Sequence, residues 1–555
     1  MGSNKQKTDG ATTGVKKWAP WALLALTLLV FSNGLTGDFV FDDFVSFEDA
    51  WLQHSITEWG WGKNEPLGQA SMRPLVTGSF YLDFALFGQN PTGYHCFNLL
   101  LHLINVLLAW RLFRRLGVPD AWSLFAAAIF AVHPVQTESV VYVAGRRDLL
   151  QGLFYLGIFH LYLNWREAPS WPRGLVCGLL VFLGMNAKAS LFPLPVVLLL
   201  YEASIAGRGW WDEGRNAPLA RAMDALKSRT KLFAGLFALA TPFLIYRAFF
   251  VTHVGTSIQS KWIGGSLDTH LMSAAKAQIL LLWRLVFPLH LQADYSPRHW
   301  LYSSGFDDPL GWAALAIGAA YLIVMVRFLF TRPWIGFAMC VIALGLFPTC
   351  QIVRHRELTA ERYLYIPMIG WGILAARAGE WFSRRDREDA ASIAGSAAAV
   401  LIVLYGARAF VRNRVYDGPQ KFWSAVLEGS PECARAIGNL AVFTWGDGDR
   451  ERALAETIRA TRLDPLNAGA FANVGVMMGY LGRTEEAREN LARAVALEPE
   501  FPSYRADLAG AQLELGEIGP AMEQIAWIER NQPGNPRLPK LRKIARQVLQ
   551  AQQAK

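Results

Sequence analysis

The sequence predicts an all-α protein in two parts: a polytopic membrane helix bundle, then a tetratricopeptide-type α-solenoid. Three observations carry this. Apolar runs of about 18 residues or more, long enough for a bilayer core, recur as far as residue 410. Of the 555 positions 52% are hydrophobic, with 21 Trp and 33 Phe, and 18% are charged, below the usual quarter. Beyond Tyr416 the chain turns charged and Ala-rich. There Pro465, Pro499 and Pro533 recur every 34 residues, as do Ala453, Ala487 and Ala521, and Gly448, Gly482 and Gly516.

Three regions follow: a cytoplasmic tail over 1–17, a membrane domain over 18–414 and the solenoid over 415–555. The first run, Trp18 to Gly37, follows Lys16 and Lys17 and has no convincing small-residue cleavage site. It is read as a retained span with a cytoplasmic N-terminus. Residues 38–93 form a first external loop that opens on DFVFDDFVSFED and holds the Arg73-Pro74 pair. The second span, Tyr94 to Phe113, carries His95, Asn98, His102 and Asn105 at spacings of three and four, a polar face that should turn into the bundle. It ends at Arg111, Arg114 and Arg115, a positive-inside signal.

The third span runs from Trp122 to Val141 with a kink at Pro134, and the fourth from Leu149 to Trp165. Spans five and six share Gly174 to Tyr201, broken at Asn186 and Lys188. A basic segment, Arg208 to Lys231, leads to a seventh. Leu310–Leu329, Trp334–Cys350, Leu364–Trp381 and Ala391–Phe410 complete the set. Leu271 to Pro288 is apolar but carries Lys276, Gln278 and Arg284. Read as non-crossing, it gives about eleven spans, keeps Arg332, Arg384 and Arg385 cytoplasmic and puts the solenoid outside. Pro431 is in phase with the repeat prolines, so QKFWSAVLEGSP reads as half of a capping repeat.

Asp42 and Asp43, flanked by Phe41 and Phe44, sit just past the first span, where a carboxylate is costly unless it serves a purpose. Arg354, Arg356 and Arg362 fall on the external side against the charge bias, as a phosphate clamp would. His133 with Glu138, Lys188 and Tyr295 are further polar residues at membrane edges; each alone equally fits a satisfied structural group.

FVFDDF, SMRPLVTGSFYLDFALFGQNPTGYHCFNLLLH, FAVHPVQTESVVYVAGRRDLL, PLHLQADYS and AERYLYIP, followed by the repeats, resemble the transmembrane and TPR-containing O-mannosyltransferase family over nearly the whole chain. The resemblance implies a GT-C-like membrane glycosyltransferase that takes a hexose, mannose above all, from a polyprenyl-phosphate carrier. It passes the sugar to protein Ser or Thr hydroxyls on the extracytoplasmic side. It makes Asp42 the base with Asp43 beside it, and it matches Arg146 and Asp148 of GRRD and Lys188 of NAKAS. Arg147 stands where the family commonly has Ala, and Ala189 where it often has an acid.

The chemistry suits these residues. A carboxylate takes the acceptor's proton as its oxygen attacks the anomeric carbon, and cations steady the leaving phosphate. Arg362 is the first candidate for the phosphate, then Lys188 and Arg146. His133, Glu138, Asp148, Arg73 and Tyr295 would orient the acidic loop or bind sugar. No cofactor or metal is required, though a divalent cation on Asp42 and Asp43 is compatible. The solenoid would hold the acceptor protein, and membrane lipid surrounds the bundle. A lipid or envelope polysaccharide acceptor, and a non-enzymatic membrane-anchored TPR scaffold, remain alternatives. The net charge of +9 fits loop orientation, with no nucleic-acid motif, and the five cysteines form neither a CxxC nor a metal spacing. QAQQAK carries no retrieval signal, which favours a bacterial inner membrane over the endoplasmic reticulum.

Overall fold

The computed structural model describes residues 17–41, 43, 73–211, 217–246, 262–295, 299–352, 357–385 and 389–553. Helices and short 3-10 turns are the only regular elements among them. Three helices, Pro91–Arg115, Pro309–Thr331 and the continuous stretch Ala390–Tyr416, are long and apolar enough to cross a membrane. Six further apolar helical stretches are shorter, 10–17 residues.

Sequence chemistry explains many of the boundaries. Pro91, Pro309, Pro333, Pro367, Pro419 and Pro502 each open a helix, where a missing N–H is harmless. Asn90 and Asp308 cap theirs by accepting from the backbone N–H of Thr92 and Gly311. The expected third span ends early, at Val132. His133 precedes a proline and is driven to ψ 133°, so the chain breaks into a 3-10 turn at Pro134–Gln136 and one helical turn at Thr137–Val140. The expected break at Lys188 is present: that residue is extended between helices Trp171–Ala187 and Leu194–Ser204.

The bundle has two chemically distinct ends. One gathers arginines: Arg115 pairs with Glu167, Arg166 and Arg229 with Glu202, and Arg384 with Glu380. Trp334 joins this end by donating to the Gly209 carbonyl. The other end carries Asp43, bound to Ala144. Helix Leu267–Val286 keeps both of its own ends there. Near its start His270 Nε2 lies 2.9 Å from the Gln351 carbonyl and Lys276 pairs with Asp308. Just past its finish Arg408 and Arg412 donate to the carbonyls of Leu289 and Gln292.

The polar face of helix Pro91–Arg115 points inward as a hydrogen-bonded seam. Asn98 Nδ2 donates to the Tyr142 and Val143 carbonyls, His102 meets Tyr365 Oη and the Ala131 carbonyl, and Asn105 donates to Leu149 and Tyr365. Buried polar groups paid for in this way specify one register among otherwise interchangeable apolar helices.

Beyond residue 416, antiparallel pairs Ala434–Gly446 with Arg450–Leu463, Ala468–Tyr480 with Thr484–Leu497, and Pro502–Glu514 with Ile518–Asn531 stack in series. Helix Leu538–Gln553 caps them, and Pro419–Gly429 precedes them. The in-phase residues behave as the period requires. Gly448, Gly482 and Gly516 take φ of 96°, 74° and 78° at the turns, and Ala453, Ala487 and Ala521 are buried where the helices meet.

Candidate functional site

Asp43 is fully buried and held by its backbone surroundings. Its Oδ2 accepts from Val40 N at 2.9 Å and its Oδ1 from Ala144 N at 2.7 Å. The carboxylate thus ties the start of the first loop to the turn that leads into helix Arg146–Glu167. Phe41 adopts φ 50°, a conformation costing about 1–3 kcal/mol for such a residue. Its ring stacks on Phe422 at 5.6 Å and meets the Trp423 edge at 5.4 Å, with the Arg435 guanidinium 5.8 Å away. Asp42, the expected base, lies outside the described residues, as do Arg354 and Arg356. Both of its chain neighbours are anchored, one to the membrane bundle and one to the first solenoid helix.

Four expected site residues come together in a charged cluster at this same end. Lys188 pairs with Asp148, and its Nζ lies 5.5 Å from the Tyr363 ring centre. Arg362 packs 5.6 Å from the same ring. Its guanidinium pairs with Glu138 on one nitrogen and Glu357 on the other, while its backbone N–H donates to the second Glu138 oxygen at 2.9 Å. Arg362 is therefore occupied by carboxylates rather than displayed to solvent, and Glu138, expected to orient the acidic loop or bind sugar, pairs with Arg362.

The remaining candidates go elsewhere. Arg146 is completely buried, paired with Asp83 and hydrogen-bonded to Asn98 Oδ1 and the Tyr94 carbonyl, its guanidinium packed over Phe80 and Phe97. That geometry joins helix Pro74–Phe87 to the bundle. His133 is buried, its ring 4.4 Å from Tyr405 at the break after Val132. Tyr295 donates to Glu361 at 2.6 Å, and Glu361 also takes Gln292 N and Arg412. Burial lifts the Glu361 carboxyl to about 7, with Arg412 opposing and Glu138 adding to the rise. Arg73 is half-buried and precedes helix Pro74–Phe87, where its carbonyl accepts from Thr77.

Sequence reasoning missed Asp83, Glu357, Glu361 and Arg412. The lone acid in SFYLDFALF was the available signal for Asp83, and for Arg412 it was the run of Arg408, Arg412 and Arg414 at the end of an apolar span. Glu361 stands next to Arg362 in the quoted AERYLYIP. Among the described residues no group of three or more His, Cys, Asp or Glu side chains is arranged to hold a metal ion. An apolar groove of about 510 Å³, lined by Leu23, Leu26, Trp122, Phe125, Ala398 and Ile402, lies away from this cluster.

Asp43, tied to Ala144, and the Lys188 and Arg362 ion pairs thus lie at one end of the bundle. Residues 74–216, which span Arg146, Asp148 and Lys188, match the family model described as dolichyl-phosphate-mannose-protein mannosyltransferase. Over 521 residues the chain is 24% identical to the human protein O-mannosyl-transferase TMTC3, covering 86% of this chain and 56% of the relative. The chain is similar to the protein O-mannosyl-transferases. The Drosophila melanogaster Tmtc3 is 23% identical, with 82% of this chain and 56% of the relative covered. The Xenopus laevis tmtc2 reaches 36% identity, over 28% of this chain and 20% of its own. The chain spans about half the length of the first of these curated relatives. These relatives are animal proteins, and they lend no support to the expected bacterial inner membrane. Among solved structures, a chain from the crystal structure of the APC/C hetero-tetramer Cut9-Hcn1 aligns with 79% of this chain and 92% of its own. At 14% identity and a TM-score of 0.24 it bears on nothing further.

Proposed function

We propose that the protein is a membrane mannosyltransferase that moves mannose from a polyprenyl-phosphate carrier to Ser or Thr hydroxyls of proteins on the extracytoplasmic side. The observation that carries this reading is the tie between Asp43 and Ala144. It joins the acidic loop to the chain four residues before Asp148, the partner of Lys188. The loop that offers a base and the cations that face a leaving phosphate thus belong to one end of the bundle. The names of the relatives support mannose and a protein acceptor.

In the reaction the acceptor hydroxyl attacks the anomeric carbon as Asp42 takes its proton, and the C–O bond to the carrier phosphate breaks. Asp43 positions that loop. Lys188 contributes positive charge near the phosphate, and Arg362, held by Glu138 and Glu357 against Tyr363, braces the cluster around it. One direct displacement inverts the anomeric centre and needs no covalent enzyme intermediate. The solenoid, joined to the acidic loop through Phe41, Phe422 and Trp423, holds the acceptor.

The test is transfer from radiolabelled polyprenyl-phosphate-mannose in purified membranes, wild type against Asp42→Asn. Label entering protein only with wild type supports the enzyme and the base together. Label entering lipid moves the acceptor to another class, and transfer surviving in the variant removes Asp42 as base. No transfer from any sugar donor overturns the enzyme reading.

A further inference from the structure

The charged cluster contains one cation that its neighbours do not saturate. Arg147 opens helix Arg146–Glu167 next to the buried Arg146, and its side chain is only 15% exposed. Among the described residues its guanidinium makes no hydrogen bond, and its ion-pair contact is a loose one, Nε to Asp148 Oδ2 at 3.9 Å. That Asp148 oxygen is itself buried without a hydrogen-bond partner. The other Asp148 oxygen pairs with Lys188. Two cations therefore share the Asp148 carboxylate, Lys188 closely and Arg147 loosely. Arg147 is also close enough to Lys188 and Tyr363 to act on both electrostatically.

Its neighbours differ in this respect. Arg146 is enclosed by Asp83, Asn98 and aromatic rings, and Arg362 has Glu138 and Glu357 on its two terminal nitrogens. A half-buried guanidinium with unused, planar N–H donors binds phosphate oxygens in pairs. Leu175, Val176, Leu179 and Phe182 stand exposed along helix Trp171–Ala187, which ends at Lys188. An apolar chain attached to a phosphate held at Lys188 has a matching surface to run along.

We propose that Arg147, with Lys188 across Asp148, is the direct ligand for the phosphate of a polyprenyl-phosphate carrier, and that it holds the product more tightly than the donor. This rests on the proposed transferase reading and adds a residue and a charge preference to it. The donor's sugar phosphodiester carries one negative charge. When its C–O bond to the sugar breaks, the electron pair stays on the phosphate oxygen and the acceptor's proton goes to the base. The departing polyprenyl phosphate is then a monoester with up to two charges. A cation that no carboxylate saturates favours that second charge as it develops.

The experiment measures equilibrium binding of a short-chain polyprenyl phosphate to the purified full chain in detergent, with the uncharged polyprenol as control. Wild type, Arg147→Gln and Arg147→Lys are compared, with thermal unfolding of each. The expected result is binding weakened about tenfold or more by Arg147→Gln, consistent with losing a charge-assisted contact, and partly restored by Arg147→Lys. Polyprenol binding and the unfolding midpoint should stay unchanged. Equal binding of polyprenyl phosphate by wild type and Arg147→Gln overturns the assignment of Arg147 and leaves the transferase reading standing. Failure of wild type to bind polyprenyl phosphate at all overturns both.

Discussion

Changing each member of the Asp42–Asp43 pair to asparagine should separate chemistry from anchoring. At Asp43 the magnitude follows from two bonds, Val40 N to Oδ2 at 2.9 Å and Ala144 N to Oδ1 at 2.7 Å, both onto a fully buried carboxylate. Asparagine has one acceptor oxygen, so whichever way its amide turns, one backbone N–H faces an NH₂ group. Stranding a buried donor costs about 1–3 kcal/mol, and the surviving bond loses its charge assistance, a further ~1 kcal/mol. Asp43→Asn should therefore destabilise the detergent-solubilised protein by roughly 2–4 kcal/mol in denaturant unfolding. Transfer should fall with it, because the loop is released from Ala144. Asp42→Asn should unfold like wild type and abolish transfer. The reasoning fails if Asp43→Asn keeps wild-type stability yet loses all transfer, since the carboxylate would then be serving the reaction and not the loop.

Three further outcomes are expected. Asp83→Asn leaves the buried Arg146 charge without its carboxylate and should cost about 3–5 kcal/mol, whereas Asp83→Leu with Arg146→Met should recover most of it; an unfolding comparison of the two decides this. Trp423→Ala empties a buried aromatic site at a cost of about 3–5 kcal/mol and removes the edge that holds Phe41. Transfer should drop while acceptor capture by the solenoid persists, and parallel transfer and pull-down assays would reveal equal losses if that uncoupling is wrong. The third concerns pH. The hydrogen bond from Lys276 holds the Asp308 carboxyl down from its ordinary 3.8 to about 2. A depressed folded-state value adds stability that is full above about pH 4 and disappears as pH falls towards 2. Asp308→Asn should flatten unfolding profiles in that window, and an unchanged slope would remove the pair as its source.

Periodicity and punctuation were legible because they are local. The 34-residue phase marks its own turns: only glycine reaches φ of 74–96° at Gly448, Gly482 and Gly516 without strain, and only a small side chain fits at Ala453, Ala487 and Ala521. The inward face of His95, Asn98, His102 and Asn105 was legible for the same reason, since helical spacing alone aligns it. Roles within the charged residues were not. Arg146 and Arg147 are adjacent, of one type and in one motif, yet the first is enclosed by Asp83 and the second meets Asp148 only at 3.9 Å. Adjacent residues at a helix start point in different directions, and which of them meets a carboxylate depends on chain more than sixty residues away.

The sequence by itself thus determined the all-α architecture, the solenoid's repeat and the end of the bundle at which arginines gather. These follow from hydropathy, period and charge bias, each readable within a few dozen residues. Tertiary structure decided which charges cancel. It gave Arg362 to Glu138 and Glu357, Tyr295 to Glu361, and Asp43 to the backbone of Val40 and Ala144. A buried charge is stabilised by whatever opposite group or N–H the fold brings within about 3 Å, and no local pattern encodes that meeting.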